Sequence, residues 1–101
     1  MAFEVTWSPE AVEDVEEIAA YIAKDSAFYA QAVVDRIIGA TRALDEQPLR
    51  GRVVPELADS RYRERFVYSY RVIYRVSDSS VLVVAVVHGK RLLESAGERF
   101  E

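Results

Sequence analysis

Seven arginines fall between residues 50 and 75, against only Glu56, Asp59 and Glu64 in the same stretch. Arg63 and Arg65 alternate with Tyr62, Glu64 and Phe66, so an extended chain puts both arginines on one face. Arg71, Ile73 and Arg75 share a face of the following apolar run, opposite Tyr70, Val72, Tyr74 and Val76. A tight turn at Tyr68-Ser69 can bring Arg63, Arg65 and Arg71 onto one surface; the register that decides this is not fixed by sequence. Arg52 lies just upstream and Lys90-Arg91 just downstream. Guanidinium groups clustered in this way suit phosphate, grouped carboxylates, or an acidic helix laid across them. The competing reading is structural: each arginine pairs with a local acid, Glu56, Asp59 or Glu64.

His88 is the only histidine in the chain and ends an apolar run just before Gly89. A histidine there can serve as a general acid or base near neutral pH, or simply be hydrogen-bonded in place. Tyr68 is the one aromatic of the region expected to be exposed, because Tyr70 and Tyr74 fall on the core side of their strand. Other catalytic sets are missing. There is no cysteine nucleophile, no second histidine for a metal pair and no glycine-rich phosphate loop. Neither metal nor cofactor is expected.

The net charge of −4 conceals a division along the chain. Residues 1–49 carry three basic and ten acidic side chains, whereas residues 50–75 carry seven arginines and three acids. A pI near 5 argues against a general nucleic-acid binder, and the arginine block argues for one local anionic partner. The 101 residues suit one domain, with a core over about 2–93 and a polar tail over 94–101. No signal-like segment opens the chain, and the longest apolar run, Val81–Val87, is far short of the roughly 20 residues of a membrane span. A soluble, cytoplasmic protein is expected.

The arginines need elements to position them. Phe3, Val5 and Trp7 alternate with polar residues, the period of a half-buried strand. Ser8-Pro9-Glu10 reads as a helix start, with a serine cap and proline at the first helical position. Val12, Val15, Ile18, Ala19 and Ile22 follow at helical spacing. Asp25-Ser26 breaks the run, and a second helix is predicted from about Ala27 to Asp45, ending before Pro48. Residues 49–61 read as irregular. Three strands follow at Tyr62–Val67, Tyr70–Val76 and Val81–His88, the last β-branched and covered on both faces. The expected fold is therefore α+β and two-layered, in the order β-α-α-β-β-β. A helical hairpin packs on one face of a mostly antiparallel four-stranded sheet, and the other face is left partly open.

Taken in order, Trp7-Ser8-Pro9-Glu10-Ala11, Gly51 to Leu57, Ser69 to Val76 and Val87-His88-Gly89-Lys90-Arg91 resemble the RelE/ParE toxin superfamily over residues 2 to about 93. The Gly51–Leu57 and His88–Arg91 segments are closer to its ParE-like branch, the plasmid stabilisation proteins. The resemblance implies the RelE-like form of this fold. It also implies a cognate antitoxin, encoded adjacently, with a DNA-binding N-terminal domain and a C-terminal part that wraps the toxin in a hetero-oligomer. An acidic, amphipathic antitoxin segment would complement the arginine surface and any apolar groove beside the hairpin. RelE-type members cleave mRNA on the ribosome with basic residues and often a C-terminal tyrosine or a histidine. The positions carried over are Arg63, Arg65, Arg71 and Arg91, with His88 as proton carrier. ParE-type members poison DNA gyrase without that set. Here the tail after Arg91 has no tyrosine, which favours the ParE-like reading of a growth-arresting toxin that binds gyrase. A ribosome-dependent endoribonuclease is the alternative, and an inactive or retargeted interaction module the third. Arg52, Arg63, Arg65, Tyr68, Arg71, Arg75, Lys90 and Arg91 are the residues expected to contact target or antitoxin.

Overall fold

The computed structural model describes residues 2–90 and 99–100. Strand β1, Glu4–Trp7, leads through Ser8 into helix α1, Pro9–Ala23, and the Ser8 hydroxyl accepts the Ala11 N–H at 3.1 Å. Ser26 repeats the device for helix α2, Ala27–Arg42, accepting from the Tyr29 N–H at 3.0 Å. Each cap satisfies one of the amides that a helix start leaves without an internal partner. The last turn of the predicted second helix tightens into a 3₁₀ segment, Ala43–Asp45. Strands β3 (Tyr62–Val67), β4 (Tyr70–Val76) and β5 (Ser80–His88) form an antiparallel meander.

One strand was not anticipated. Arg52–Val53, here β2, pairs antiparallel with Arg63 and Glu64, making a five-stranded sheet of order β1-β5-β4-β3-β2. Two residues carry no periodicity, so their pairing is dictated by the long partner strand. β1 lies parallel to β5 at the opposite edge.

Val33 and Ile37 of α2, Ala11 of α1, and Val67, Val72, Val83 and Val86 of the sheet form the core between the layers. The face away from the helices is more covered than expected. Val54 and Leu57 of the β2–β3 connection and Phe100 pack there against Tyr62, Ile73, Val84, Ala85 and Val87. β5 is thus apolar on both faces, which explains its unbroken apolar run from Val81 to Val87. Among the described residues, no helix is long and apolar enough to cross a membrane.

Candidate functional site

The β3–β4 register separates the arginines that a shared surface would have required together. Phe66 is paired with Arg71, Arg65 with Val72 and Arg63 with Tyr74. Cross-strand partners point to the same side of a sheet. Arg63 and Arg65 therefore stand on the helix side with Val67 and Val72, and Arg71 stands on the opposite side with Glu64 and Phe66. The turn holds only Tyr68 and Ser69, so the alternation on β4 is the mirror of that on β3, and no slip is possible without turning the core outward.

On its own face Arg71 is enclosed. Its Nε donates to Glu64 Oε1 at 2.7 Å, while Nη1 and Nη2 donate to the two oxygens of Glu56, each at 2.7 Å. The second Glu64 oxygen accepts Arg52 Nε at 2.6 Å, a cross-strand pair set by the Arg52–Glu64 register. The Glu64 side chain has no solvent exposure and that of Arg71 has 4%, whereas Arg52 remains 60% exposed. The hydrogen bonds from Arg71 hold the Glu56 carboxyl below its ordinary value and raise that of Arg71 itself. The structural reading of this part of the arginine block is therefore correct: Arg52 and Arg71 pair with Glu56 and Glu64, and Arg61 pairs with Asp59 at 2.7 Å.

The remaining candidates differ in their freedom. Arg63 donates to the Gly51 carbonyl at 3.1 Å, and its buried Nε has no hydrogen-bond partner among the described residues. Gly51 is fixed by space, since a Cβ would lie 2.5 Å from the Glu64 carbonyl oxygen; its N–H donates to the buried Tyr74 hydroxyl. Arg65 and Arg75 are half-buried and form no ion pair among the described residues. His88 is exposed, sits edge-on to the Tyr70 ring at 5.9 Å, and accepts the Lys90 N–H at Nδ1. Arg91 and the polar tail over 94–98 lie outside the described residues. Gly89 has no positive φ; a Cβ there would lie 3.1 Å from both Phe66 and the Ser69 carbonyl, so crowding rather than a special turn accounts for it.

Tyr68 is exposed as expected, at 50%, and carries a positive φ of 53°. Its ring meets Tyr29 edge-on at 6.0 Å and lies under Arg36 at 5.6 Å. Beside it Phe66 is 52% exposed, under Arg52 at 5.4 Å. Tyr29, Arg36 and Phe66 were missed by sequence reasoning. Neither Tyr29 nor Arg36 stands out in the sequence of α2, and only the packing of that helix beside β3 brings them to Tyr68, whereas Phe66 faces the other side of the sheet with Arg52.

A family model described as "ParE toxin of type II toxin-antitoxin system, parDE" matches residues 5–93. No curated protein matches the chain in sequence. Among solved structures, the chromosomal ParDE TA system from P. aeruginosa aligns with a TM-score of 0.71 at 16% identity, covering 86% of this chain and 96% of that one. The toxin–antitoxin complex RelBE2 from Mycobacterium tuberculosis gives 0.60 at 23%, covering 87% and 92%. The YoeB dimer from Staphylococcus aureus gives 0.60 at 17%, covering 87% and 98%. These likenesses are likenesses of fold.

Proposed function

The chain belongs to the ParE toxin family of type II toxin–antitoxin systems, and from that premise we propose that it arrests growth by binding DNA gyrase, not by cutting RNA, until a cognate antitoxin neutralises it in a hetero-oligomer. The observation that carries this reading is the engagement of Arg71 by Glu56 and Glu64. A ribonuclease would need that guanidinium to stabilise the extra negative charge of a pentacoordinate phosphate. Here two carboxylates already take its donors, and a phosphate would have to displace them from a buried site. Arg63 and Arg65 stand on the other side of the sheet, so the positions that the nuclease reading groups do not converge. Arginine is moreover a poor general base, being always protonated.

The test is direct. The purified chain is added to gyrase supercoiling reactions and, separately, to a translation system in which mRNA integrity is followed. Inhibited supercoiling with intact mRNA is expected. Cut mRNA with untouched gyrase would transfer the chain to the endoribonuclease reading. Inertness in both would favour a retargeted or inactive module.

A further inference from the structure

Beside the end of β5 an open cavity of about 370 Å³ is lined by Glu17, Ile18 and Tyr21 from α1 and by Tyr70, Val86 and His88 from the sheet. We infer that this cavity receives a cationic side chain, an arginine or lysine, presented by the protein that the toxin binds as its target. The inference rests on the reading above that the toxin acts by binding a protein. It places the contact against the acidic first helix and not in the arginine block.

The walls suit a cation. Asp14, Glu17, Ile18 and Tyr21 follow at the spacing of one helix face. Tyr70 stands beside His88, its cross-strand partner, with the two rings 5.9 Å apart. Aromatic faces attract a cation through their quadrupole, most strongly where water is partly excluded. Tyr70 is half-buried, and burial, with Tyr21 and Tyr29 nearby, raises its hydroxyl pKa, so that wall stays neutral. His88 accepts the Lys90 N–H at Nδ1, which requires that nitrogen to carry no proton. Asp14 is already engaged by Arg99 and by the Val86 N–H. Glu17 is exposed and forms no ion pair among the described residues, which leaves its carboxylate to meet an incoming charge.

Two cations of the chain itself are drawn to the same face. Arg99 reaches Asp14 at 2.6 Å, and its pKa is raised by that bond, with Glu10 and Glu13 adding to the effect. Lys24 Nζ lies 5.8 Å from the centre of the Tyr21 ring. Lys24 is exposed, and its flexible stem lets another cation take its place. Tyr21 still leaves 69% of its surface to solvent.

Charge selects the class of partner. Residues 1–49 carry three basic and ten acidic side chains, a field that repels both a phosphate backbone and an acidic peptide. A polypeptide presenting a basic side chain is attracted by it. An acidic antitoxin segment is directed elsewhere, to the arginines.

The full chain is titrated with N-acetylarginine amide and, separately, with N-acetylglutamate, while ring and amide resonances are followed by NMR. Gyrase supercoiling is assayed with the parent, Tyr21→Ala and Glu17→Lys. Both substituted side chains are exposed, and melting temperatures near the parent's are expected. The arginine amide is expected to shift the resonances of Tyr21, Tyr70 and His88, an effect lost in Glu17→Lys, and N-acetylglutamate to leave them in place. Both variants are expected to need at least about tenfold more protein for half-inhibition of gyrase. Undiminished inhibition by either folded variant, or the same shifts with the glutamate probe, would overturn the inference. So would a parent chain that inhibits gyrase without responding to the arginine amide. Ring shifts in a parent chain inert toward gyrase would remove gyrase as the target and support the cationic pocket.

Discussion

Phe66 and Arg71 face each other across the β3–β4 ladder, and this pairing gives neighbouring arginines opposite roles. Arg71 is an interior strut between two acids, while Arg65, one residue before Phe66, looks toward α2. Arg71→Ala is expected to leave Glu64 buried without its main counter-charge, a loss of roughly 3–5 kcal/mol. Arg65→Ala is expected to change stability by no more than about 0.5 kcal/mol. Urea denaturation midpoints distinguish the two, and equal midpoints would mean that the buried pair contributes little.

Acid should loosen the same network from its outer end. The bonds from Arg71 depress the Glu56 carboxyl below 4.5, so the folded state binds that proton less readily than the unfolded chain. The resulting stabilisation is present above pH 4.5 and disappears as pH falls through the lower, folded value. Glu56→Gln is expected to flatten this part of the stability profile, as followed by melting temperature between neutral pH and pH 3. A variant with the parent's acid slope would remove Glu56 from the account.

The glycines should respond in a graded way to a single methyl. Gly51→Ala forces a Cβ to within 2.5 Å of backbone at Glu64 and 2.7 Å of the Tyr74 hydroxyl. Overpacking of this kind costs about 1–3 kcal/mol. Gly89→Ala meets atoms only at 3.1 Å, one of them in the exposed Phe66 ring, and is expected to cost less. Gly39→Ala is expected to stabilise the chain by up to about 1 kcal/mol through helix propensity. The order of the three melting temperatures is the measurement, and a Gly51→Ala chain melting above Gly39→Ala would refute it.

The turn at Tyr68-Ser69 has a positive φ at its first residue only, the φ pattern of a type II′ hairpin, which ordinarily carries glycine there. Tyr68→Val puts a β-branched side chain into that region and is expected to melt below Tyr68→Asn, by about 1–2 kcal/mol of stability. Equal stability of the two would show that the turn relaxes.

Much of this architecture was legible in the chain. Ser8 and Ser26 announced both helix starts, and the alternations of 62–67 and 70–76 set two strands to the residue. Parity between those strands was within reach, because a two-residue turn at Tyr68-Ser69 pairs Val67 with Tyr70 and so Phe66 with Arg71, although that register was left open at the level of sequence. Glu64 shows why the site was only partly read. It was read as one possible partner of the arginines, but its burial was not foreseen, because it lies on the face that Val54 and Leu57 cover from a segment without a periodic pattern. Two arginines then make its burial tolerable. A further irregularity, a register shift between β4 and β5 at Ile73/Tyr74, also leaves no trace in composition.

The parallel pairing of β1 with β5 has a bearing on how the chain is made. Glu4 to Trp7 are synthesised well before Ser80 to Val83, their partners in the sheet. The ribosome must therefore deliver everything between them before β1 has anywhere to lie. Contacts between such distant residues slow the search for the native state. Throughout that interval the growing chain is an incomplete sheet behind a helical hairpin, and any partner that recognises the closed sheet has to wait for β5.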